Sequence, residues 1–354
     1  MQTQLITPDS REWPSCLDRL QHDIYHKSEY VELCAVHEGG QPVAFLASEG
    51  ESLLFVPLLL RTIPVADGYF DAASPYGYPS PLVKTKDTSF VSRAIEQMMS
   101  SLRQAGVVSV FVRFHPLLDS DVKSFEKVGR LVKHGETVYY DLTRSEDELW
   151  REVRRSARCQ IKQLTKLGYT AEEDQQWQYL DDFIEAYWEN MQRAKATEAY
   201  FFPAEYFYEL KDSLRGSVHL IIVRAGDGRI AGGGVQTEVG GIVQAHLAGI
   251  KSEFAEHQPL KIMIDGVHRW AAERGNRYYH LGGGLGGKQD SLFVFKSGFA
   301  KGRADFFTWR AVVDDEVYHS LVSKWAERSG FEPDGLKGYF PAYRRAVPKK
   351  VSRV

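Results

Sequence analysis

The sequence predicts a mixed α/β protein (α+β, with mixed sheets) made of two tandem domains of similar topology. A group of short strands, followed by a helix and one more strand, occurs once in each half of the chain. Tight turns join the strands of each group and imply antiparallel neighbours, whereas a strand that follows a helix can pair in parallel. The length of 354 residues also suits two domains of ordinary size. We therefore expect mixed sheets rather than a single doubly wound parallel sheet.

The first copy of this pattern lies before residue 115. Turn-forming residues at 38–41 and 49–51 separate three segments that are typical of strands. The helical pattern that follows ends at Gly106, since glycine is common just after the last helical turn. The predicted elements are strands at 30–37, 42–48 and 52–61, a helix at 88–104 and a strand at 107–114.

The second copy repeats this order from residue 217. Its turns again contain glycine, and its helix again ends before a glycine, Gly275. Two matches in the same order are difficult to obtain by chance, so we expect a first domain at 1–140 and a second at 141–354. The predicted elements of the second copy are strands at 217–224, 230–237 and 241–250, a helix at 259–274 and a strand at 276–283.

Helical segments connect the two copies. The first, predicted at 145–167, opens with a capping box formed by Ser145 and Glu148. Two further helices are predicted at 178–194 and 204–214. The first helix carries a row of cations, which is either a solvated face or a surface that meets phosphates or carboxylates. These cations are Arg151, Arg154, Arg155, Arg158, Lys162 and Lys166.

The composition, with 43% hydrophobic and 26% charged residues, is typical of a globular protein with a large core. No apolar run approaches the roughly 20 residues that a membrane-spanning helix needs, and the amino terminus lacks the pattern of an export signal. Three widely spaced cysteines favour a reducing compartment over a disulfide framework or a zinc site. A net charge of −3 gives no general attraction to nucleic acid, so no stable nucleic-acid partner is expected. We expect a cytoplasmic protein.

Residues 278–299, YYHLGGGLGGKQDSLFVFKSGF, form the most informative segment. Five glycines within 282–287 remove side chains from the end of a strand, so that backbone or a ligand can approach closely. Lys296 follows among phenylalanines, where burial lowers the pKa of an ammonium and suits it to a developing oxyanion or a phosphate. The alternative is a lysine whose stem passes its phenylalanines to reach water. The loop matches neither of the common nucleotide-binding fingerprints.

These elements together resemble the FemABX family over about residues 30–345. The resemblance depends on the order and spacing of four short motifs: YHLGGG at 279–284, FKSGF at 295–299, SPYGYPSP at 74–81 and VRFHP at 112–116. Members of the family are tandem acyltransferases with two GCN5-related N-acetyltransferase (GNAT)-like domains, and some add amino acids to peptidoglycan precursors. The sequence looks closest to the branch found with envelope-polysaccharide biosynthesis. The resemblance therefore implies two tandem GNAT-like domains that transfer an acyl or aminoacyl group to an amine.

The resemblance also implies roles for particular residues. Family members use the lysine of the FK motif near the transferred carbonyl, which would be Lys296, and often place a histidine or an aromatic residue where His246 stands. Lys296 and His246 are therefore the candidate catalytic residues. The candidate substrate-binding residues are Tyr76, Tyr78, Arg113, His115, Arg193, Gly283, Gly284, Gly286 and Gly287.

The first domain of the family receives the acceptor, which would place Tyr76, Tyr78, Arg113 and His115 near it. Arg113 and His115 stand two positions apart on one strand, so that both side chains lie on one face. The alternative for this pair is an inter-domain salt link and a capped core histidine. Arg193 would bind a phosphate or carboxylate of the acceptor.

The acyl donor follows less directly from the resemblance. Ordinary GNAT proteins hold the pyrophosphate of CoA on a glycine loop between the central strand and the next helix. Here that connection, residues 251–266, has no glycine before the helix has begun. This disfavours acyl-CoA and favours aminoacyl-tRNA or a carrier-bound donor, although the acidic balance of the chain disfavours tRNA. We expect no tightly bound cofactor and no metal, with aminoacyl-tRNA, acyl-CoA or an acyl carrier as co-substrate.

The leading hypothesis is N-acylation of an amine on a cell-envelope precursor, either a peptidoglycan stem peptide or a nucleotide-linked amino sugar. One alternative is an N-acyltransferase of a secondary pathway that uses acyl-CoA or acyl carrier protein. Another is a catalytically silent scaffold in polysaccharide assembly, which has no need for a buried cation such as Lys296. Expected partners are a small-molecule, glycan or peptide precursor, tRNA in transient contact, and a membrane surface near which the protein works.

Overall fold

The computed structural model describes residues 1–330 and 338–346. The chain divides into two compact units. Unit 1 contains Met1–His134 and the described residues from Phe306, and unit 2 contains Gly135–Asp305. Residues 331–337 and 347–354 of the expected second domain lie outside the described part of the chain.

The secondary structure alternates between strands and helices along both units. The strands are β1 (Gln2–Ile6), β2 (Gln41–Glu49), β3 (Ser52–Thr62), β4 (Phe70–Ala73), β5 (Leu82–Lys84), β6 (Val107–Arg113), β7 (Arg130–Asp141), β8 (Thr170–Glu173), β9 (Val218–Arg224), β10 (Ile230–Val239), β11 (Ile242–Ile250), β12 (Tyr278–Gly282) and β13 (Gly302–Val312). The helices are α1 (Glu12–Leu17), α2 (Ser28–Glu38), α3 (Phe90–Gln104), α4 (Val122–Glu126), α5 (Glu146–Glu152), α6 (Arg155–Lys166), α7 (Leu180–Arg193), α8 (Ala204–Ser213), α9 (Leu260–Glu273), α10 (Ser291–Lys296) and α11 (Asp315–Ser329).

Unit 1 contains one mixed sheet. Its strand order is β1-β2-β3-β4-β6-β13, and the short strand β5 also pairs with β3. Neighbouring strands are antiparallel except for β4 and β6, which are parallel and are connected through α3. The hairpin turns and the helical crossover therefore produce the mixture of directions that the sequence predicted.

Unit 2 repeats this topology strand for strand. Its order is β8-β9-β10-β11-β12-β7, and only β11 and β12, which α9 connects, are parallel. The same six-strand order with the same directions therefore occurs in both units. This confirms the predicted mixed α/β fold with two domains of like topology.

The helices α3 and α9 occupy equivalent places in the two units. Each packs an apolar stripe on its own sheet, with buried residues three and four positions apart, as an amphipathic helix requires. The stripe of α3 contains Phe90, Val91, Ala94, Ile95, Met98 and Leu102. The stripe of α9 contains Ile262, Met263, Val267 and Ala271.

The first predicted strand, at 30–37, is wrong, because these residues lie in α2. Tyr30, Val31, Leu33 and Cys34 are buried together. Residues at positions i, i+1, i+3 and i+4 share one face of a helix, whereas a strand would bury alternate residues. The antiparallel meander of unit 1 consequently consists of β2, β3 and β4.

The observed units also differ from the expected boundaries of 1–140 and 141–354. Residues of β13 from Thr308 to Val312 pair with β6, from Arg113 to Ser109, and so complete the sheet of unit 1. In unit 2 the corresponding sixth strand is β7, which precedes the rest of its sheet in the chain. Unit 1 is therefore discontinuous in sequence.

The single helix predicted at 145–167 is two helices. The capping box of Ser145 and Glu148 is present at the start of α5. Val153 interrupts the helix with an extended backbone, φ −60° and ψ 130°, and its side chain is buried in the core of unit 2. Within residues 1–330 and 338–346, no helix has the length and apolar character needed to cross a bilayer.

Candidate active site

The candidate site of unit 2 lies where its two parallel strands separate. β11 and β12 are paired only from Ile242↔Tyr278 to Gln244↔His280. Beyond these pairs β11 continues to Ile250, whereas β12 ends two residues later. The two strands are therefore unpaired beyond Gln244 and His280, and we call this unpaired region between them the strand wedge. Backbone groups that leave a ladder in this way can bind a ligand instead.

His246 lies just beyond the paired part of β11, at a β-bulge. Val235 of β10 is opposite Leu247, and the next residue, Gln236, is opposite Ala245, so His246 is the extra residue of the bulge. A bulge redirects a side chain from the regular alternation and often occurs next to a binding site. The Nε2 atom of His246 is 3.3 Å from the hydroxyl oxygen of Tyr206 on α8.

A buried polar pair lies at the closed end of the strand wedge. The Nδ1 atom of His280 is 2.6 Å from Oε1 of Gln244, and the two side chains are 0% and 2% exposed. Because an amide oxygen only accepts, Nδ1 is the donor of this hydrogen bond. Neither residue was among the candidates predicted from the sequence. The sequence feature that could have revealed the pair is a glutamine and a histidine within largely apolar strands, because a buried polar side chain needs a specific hydrogen-bond partner.

The glycine loop after β12 needs its glycines for two different reasons. Gly282, Gly286 and Gly287 have φ angles of 76°, 62° and 79°, which residues with side chains rarely adopt. Gly284 has an ordinary φ, but a Cβ atom there would lie 2.1 Å from the carbonyl oxygen of Lys288. The loop therefore folds back on itself too tightly for a larger residue.

Asp290 ties this loop to α10. One carboxylate oxygen accepts the N–H of Phe293 at 2.9 Å and caps the helix, and the other accepts the N–H of Leu285 at 2.9 Å. Burial opposes ionisation of Asp290, but these N–H donors outweigh it and lower the pKa of the carboxyl. Asp290 was not among the residues predicted from the sequence, although an aspartate just before a helical segment is a common N-cap.

Lys296 closes the loop from the last turn of α10. Its Nζ atom donates to the carbonyl oxygen of Gly283 at 2.9 Å. Burial lowers the pKa of the Lys296 ammonium from an ordinary value of 10.5 to about 8, and Asp290 opposes this shift. The ammonium thus turns back onto the glycine loop, unlike the alternative in which its stem carries it into water.

Arg193, predicted to bind the acceptor, lies at the end of α7. Its guanidinium donates to the carbonyl oxygen of Ile250 at 3.0 Å, to the hydroxyl of Ser252 at 3.1 Å and to the side-chain oxygen of Asn190 at 2.7 Å. None of these partners belongs to the glycine loop. Arg193 therefore supports the end of β11 and the segment that follows it.

Arg113 in unit 1 supports the SPYGYPSP segment. Its Nη1 atom donates to the carbonyl oxygens of Ser74 at 2.8 Å and Pro75 at 3.2 Å. The guanidinium carbon is 5.0 Å from the ring centroid of Phe111. These contacts hold the start of the segment against β6.

Tyr76 and Tyr78 lie in the same segment, on either side of Gly77. Gly77 has a φ of 94°, and a Cβ atom there would lie 2.2 Å from the ring of Tyr25, so only glycine fits. The backbone N–H of Tyr76 donates to Glu38 at 2.8 Å. The ring of Tyr78 packs edge-on against that of Tyr25, with 5.9 Å between centroids.

His115 is enclosed in the interior of unit 1. The residue is 3% exposed, and its Nε2 atom is 2.9 Å from a carboxylate oxygen of Asp23. Its Nδ1 atom accepts the N–H of Leu117 at 3.0 Å. Since both ring nitrogens have partners, the geometry matches the capped core histidine that was the alternative for this residue.

The structure thus assembles some of the predicted residues and separates others. Lys296, Gly283, Gly284, Gly286 and Gly287 form one loop–helix unit, and His246 lies on the strand that borders the same wedge. Arg193 contacts the end of β11 and the segment that follows it. Tyr76, Tyr78, Arg113 and His115 contact other residues of unit 1.

The connection from β11 to α9 lacks the open backbone of a phosphate cradle. In the first turn of α9, the N–H groups of Lys261 and Ile262 donate to the carbonyl oxygens of Gln258 and Pro259, each at 3.1 Å. Lys261 is itself buried beside Gln160, and burial lowers its pKa. Within the described chain, no three or more His, Cys, Asp or Glu side chains are placed to hold a metal ion.

Residues 151–290 match the family model described as an acetyltransferase (GNAT) domain. This range contains the strand wedge, the bulge at His246, the glycine loop and Asp290. Unit 2 is a GNAT acyltransferase domain. Unit 1, which has the same strand order and directions, is a second copy of that topology.

The whole chain is similar in fold to several solved structures. FemX is 14% identical in sequence, and the match covers 90% of this chain and 99% of FemX with a TM-score of 0.68. L-PGS from Bacillus licheniformis is 16% identical, with coverage of 90% and 97% and a TM-score of 0.56. The C-terminal (DUF2156) domain of a putative lysylphosphatidylglycerol synthetase from Agrobacterium fabrum is 14% identical, with coverage of 86% and 93% and a TM-score of 0.56.

These matches confirm the fold that the resemblance implied. The protein is an acyltransferase with a FemABX-like tandem GNAT fold. At such low identities the similarity to these structures shows the fold. A search of curated proteins found no similar sequence.

Proposed function

We propose that this tandem GNAT protein N-acylates an amine of a cell-envelope precursor in the cytoplasm. The acceptor is a peptidoglycan stem peptide or a nucleotide-linked amino sugar, and the group transferred is acyl or aminoacyl. The GNAT domain supports the reaction class. The FemABX-like fold, together with the four motifs of the resemblance, supports an envelope acceptor.

The observation that carries this proposal is the position of Lys296. Its ammonium is poorly solvated, and it already donates to one carbonyl oxygen, that of Gly283, at 2.9 Å. An ammonium has three donors, so Lys296 can also bind the carbonyl oxygen of a substrate. A donor held in a weakly solvated place is most effective against charge that develops during the reaction.

The proposed reaction is a direct transfer. The neutral amine nitrogen attacks the acyl carbonyl carbon, and the carbonyl oxygen becomes an oxyanion that Lys296 stabilises. Collapse of this intermediate breaks the bond from the carbonyl carbon to the donor's sulfur or oxygen. The proton of the attacking amine passes to His246, and His246 then gives this proton to the leaving thiolate or alkoxide, so that the products are an amide and a thiol or an alcohol. No covalent enzyme intermediate is needed.

The proposed donor is aminoacyl-tRNA or a carrier-bound acyl group rather than acyl-CoA. The first-turn N–H groups of α9 that would bind a pyrophosphate are used by Gln258 and Pro259. Acyl-CoA, bound in some other manner, is the competing donor. In each case the donor is a co-substrate and no tightly bound cofactor takes part.

The proposed role of Arg113 is to position the acceptor-binding segment of unit 1. The segment contains both candidate tyrosines, Tyr76 and Tyr78, and Arg113 fixes its start through Ser74 and Pro75. His115, which is enclosed, would act only through Asp23 as part of the scaffold beneath this segment.

The experiment that tests the proposal is product analysis by mass spectrometry. The protein is incubated with peptidoglycan precursors and nucleotide-linked amino sugars, each with aminoacyl-tRNA, acyl-CoA or acyl carrier protein in turn. We expect one acceptor to gain the mass of the acyl group through an amide bond. Acylation of a hydroxyl, or of none of these acceptors with any donor, would contradict the proposal.

A further inference from the structure

Helix α10 is apolar on the side that faces water as well as on the side that faces the core. Phe293 is buried, whereas Leu292 and Val294 are 44% and 49% exposed. Of the residues that point outward from this helix, Ser291 is polar and the others are apolar. A helix with apolar residues all round is normally covered on every side.

Leu285 extends this apolar surface from the glycine loop. It is 58% exposed, and its N–H is bound by Asp290, which also caps α10. We call Leu285, Leu292 and Val294 the apolar tip. Single exposed apolar residues are ordinary on a protein surface, but three on one tied loop–helix unit indicate a surface for interaction.

Three cations belong to, or contact, the loop–helix unit that carries the apolar tip. Lys288, at the end of the glycine loop, is exposed. The backbone N–H of Arg154 donates to the carbonyl oxygen of Gly298, just after α10, at 2.7 Å, and its own side chain is exposed. The guanidinium of Arg303 is 5.7 Å from the ring centroid of Phe293. Lys288, Arg154 and Arg303 form no ion pair with any carboxylate of the described residues.

The arginines of α5 and α6 extend this positive charge. Arg151 and Arg155 lie on either side of Arg154 in the chain, and both are exposed. The carboxylate nearest in sequence to the tip, Asp290, is occupied by backbone N–H groups. The loop–helix unit of the tip therefore adjoins Lys288, Arg154 and Arg303, which have no carboxylate partner among the described residues.

This combination is complementary to an anionic bilayer. Apolar side chains enter the boundary between headgroups and acyl chains, while Lys and Arg pair with lipid phosphates. We propose that the apolar tip and its cations dock the protein on the surface of an anionic phospholipid membrane. This binding is peripheral, and it does not depend on the proposed acyl transfer. Since Lys296 ends the same helix, the docked protein would present its glycine loop at the bilayer surface.

The test is sedimentation of the full chain with phospholipid vesicles. Vesicles of phosphatidylcholine with about one quarter phosphatidylglycerol should bind the protein, and phosphatidylcholine alone should bind it much more weakly. The double variant Leu292→Asn/Val294→Asn should lower the partition coefficient by at least about tenfold. Lys288→Gln/Arg154→Gln should lower it by about fivefold for each charge removed, and about 1 M salt should have a similar effect.

Matched controls remove the same chemistry from another surface. Val36→Asn replaces a side chain that is 69% exposed on α2, and Lys86→Gln replaces an exposed cation of unit 1. Both controls should bind vesicles as the unaltered chain does. Equal binding by the tip variants and their controls would overturn the proposal, as would equal binding to vesicles with and without phosphatidylglycerol.

A further measurement uses the unaltered chain, so its result does not depend on whether the variants fold. Amide hydrogen exchange of residues 285–296 should slow when phosphatidylglycerol vesicles are added, while that of α2 should stay unchanged. Unchanged exchange at 285–296 would overturn the proposal. Slowing that depends on protein concentration, and not on vesicles, would also overturn it and would identify a second copy of this chain as the occupant.

Discussion

Lys296 lies where burial disfavours the charged form of its side chain. Burial lowers the pKa of the folded-state ammonium to about 8, whereas an exposed lysine has a pKa of 10.5. Between these two pH values the unfolded chain binds more protons than the folded chain, so the folded state gains stability as pH rises from about 8 to 10.5. Below pH 8 the full cost of burying the charged group remains.

Replacing Lys296 with methionine should therefore stabilise the protein at pH 7. We expect Lys296→Met to raise the free energy of unfolding by about 1–3 kcal/mol, because an apolar side chain of similar length removes the desolvated charge. Urea denaturation at pH 7 measures this change. The gain should vanish in denaturation near pH 11, and the exposed Lys288→Met should show no gain at either pH. A loss of stability in Lys296→Met would show that the ammonium is favourably placed.

The pH dependence of turnover should report the same group. If the ammonium stabilises the oxyanion, kcat should fall as pH rises through about 8, where Lys296 loses its proton. Asp290 raises the pKa of Lys296, so Asp290→Asn should move this alkaline limb to lower pH. Asp314→Asn, which alters the N-cap of α11 in unit 1, is the matched control and should leave the limb in place. An alkaline limb at the same pH in Asp290→Asn would assign it to another group.

Arg113 makes a separate prediction for the acceptor. A lysine ammonium is a more strongly hydrated point charge than the guanidinium whose Nη1 atom donates to Ser74 and Pro75, so Arg113→Lys should loosen the SPYGYPSP segment. We expect KM for the acceptor to rise about tenfold, with KM for the donor nearly unchanged. Steady-state kinetics with each substrate varied measures this. Arg103→Lys, which alters an arginine bound to the carbonyl oxygen of Val313, should change neither value. An equal rise for both substrates would mean that Arg113 has no particular link to the acceptor.

The local sequence pattern was sufficient to predict some of the site residues but not others. Lys296 and the glycines of the glycine loop lie close together in the chain, so the sequence alone indicates that they form one loop–helix unit. Gln244 and His280 meet only through the parallel register of β11 and β12. The spacing predicted His115 on the same strand as Arg113, which is wrong because β6 ends at Arg113. Only the packed structure shows that Asp23 and Leu117 use both nitrogens of His115.

The elements themselves were largely predictable from periodicity and turn residues. The helices α3 and α9, the strands β2 and β3 and the strands β9 to β11 lie within a few residues of the expected ranges, whereas β4 was not predicted. The error at α2 came from a short apolar segment, for which the strand and helix patterns differ only in which positions are buried. The bulge at His246 could not be predicted, because it depends on how β10 and β11 align.

Because α7 packs closely on β11, a single added methyl group at their contact should lower the stability of the fold. A Cβ atom on Gly249 would lie 2.4 Å from the backbone nitrogen of Tyr187, so the backbone of α7 would have to move. Gly249→Ala should lower the free energy of unfolding by about 1–3 kcal/mol, as overpacking typically does. Thermal or urea denaturation measures this change.

Gly266→Ala in α9 is the matched control for this prediction. A Cβ atom there would meet that of Ala171 at an ordinary 3.5 Å. Alanine favours a helix interior over glycine by about 1 kcal/mol, so this variant should be neutral or stabilised. Similar losses in both variants would show that β11 and α7 have room to separate.

At the scale of the whole molecule, the sequence predicted the repeat of topology but not how the chain completes each copy. Hydrophobic periodicity is a local property, and it showed two groups of strands, helix and strand. The pairing of β13 with β6 joins residues that are far apart in the chain, from Thr308↔Arg113 to Val312↔Ser109. Nothing in the local pattern of β13 distinguishes a strand of unit 1 from one of unit 2.

The central claim is that unit 2 transfers an acyl group with Lys296 as the oxyanion donor. The most direct test is the single-turnover rate of amide formation, with the donor and acceptor that product analysis identifies. Lys296→Met should lower this rate by about 10²-fold or more while the protein remains folded, because removal of one oxyanion donor typically has that effect. Lys288→Met, on the same loop but exposed, should lower it by less than about twofold. An unchanged rate in Lys296→Met would contradict the claim.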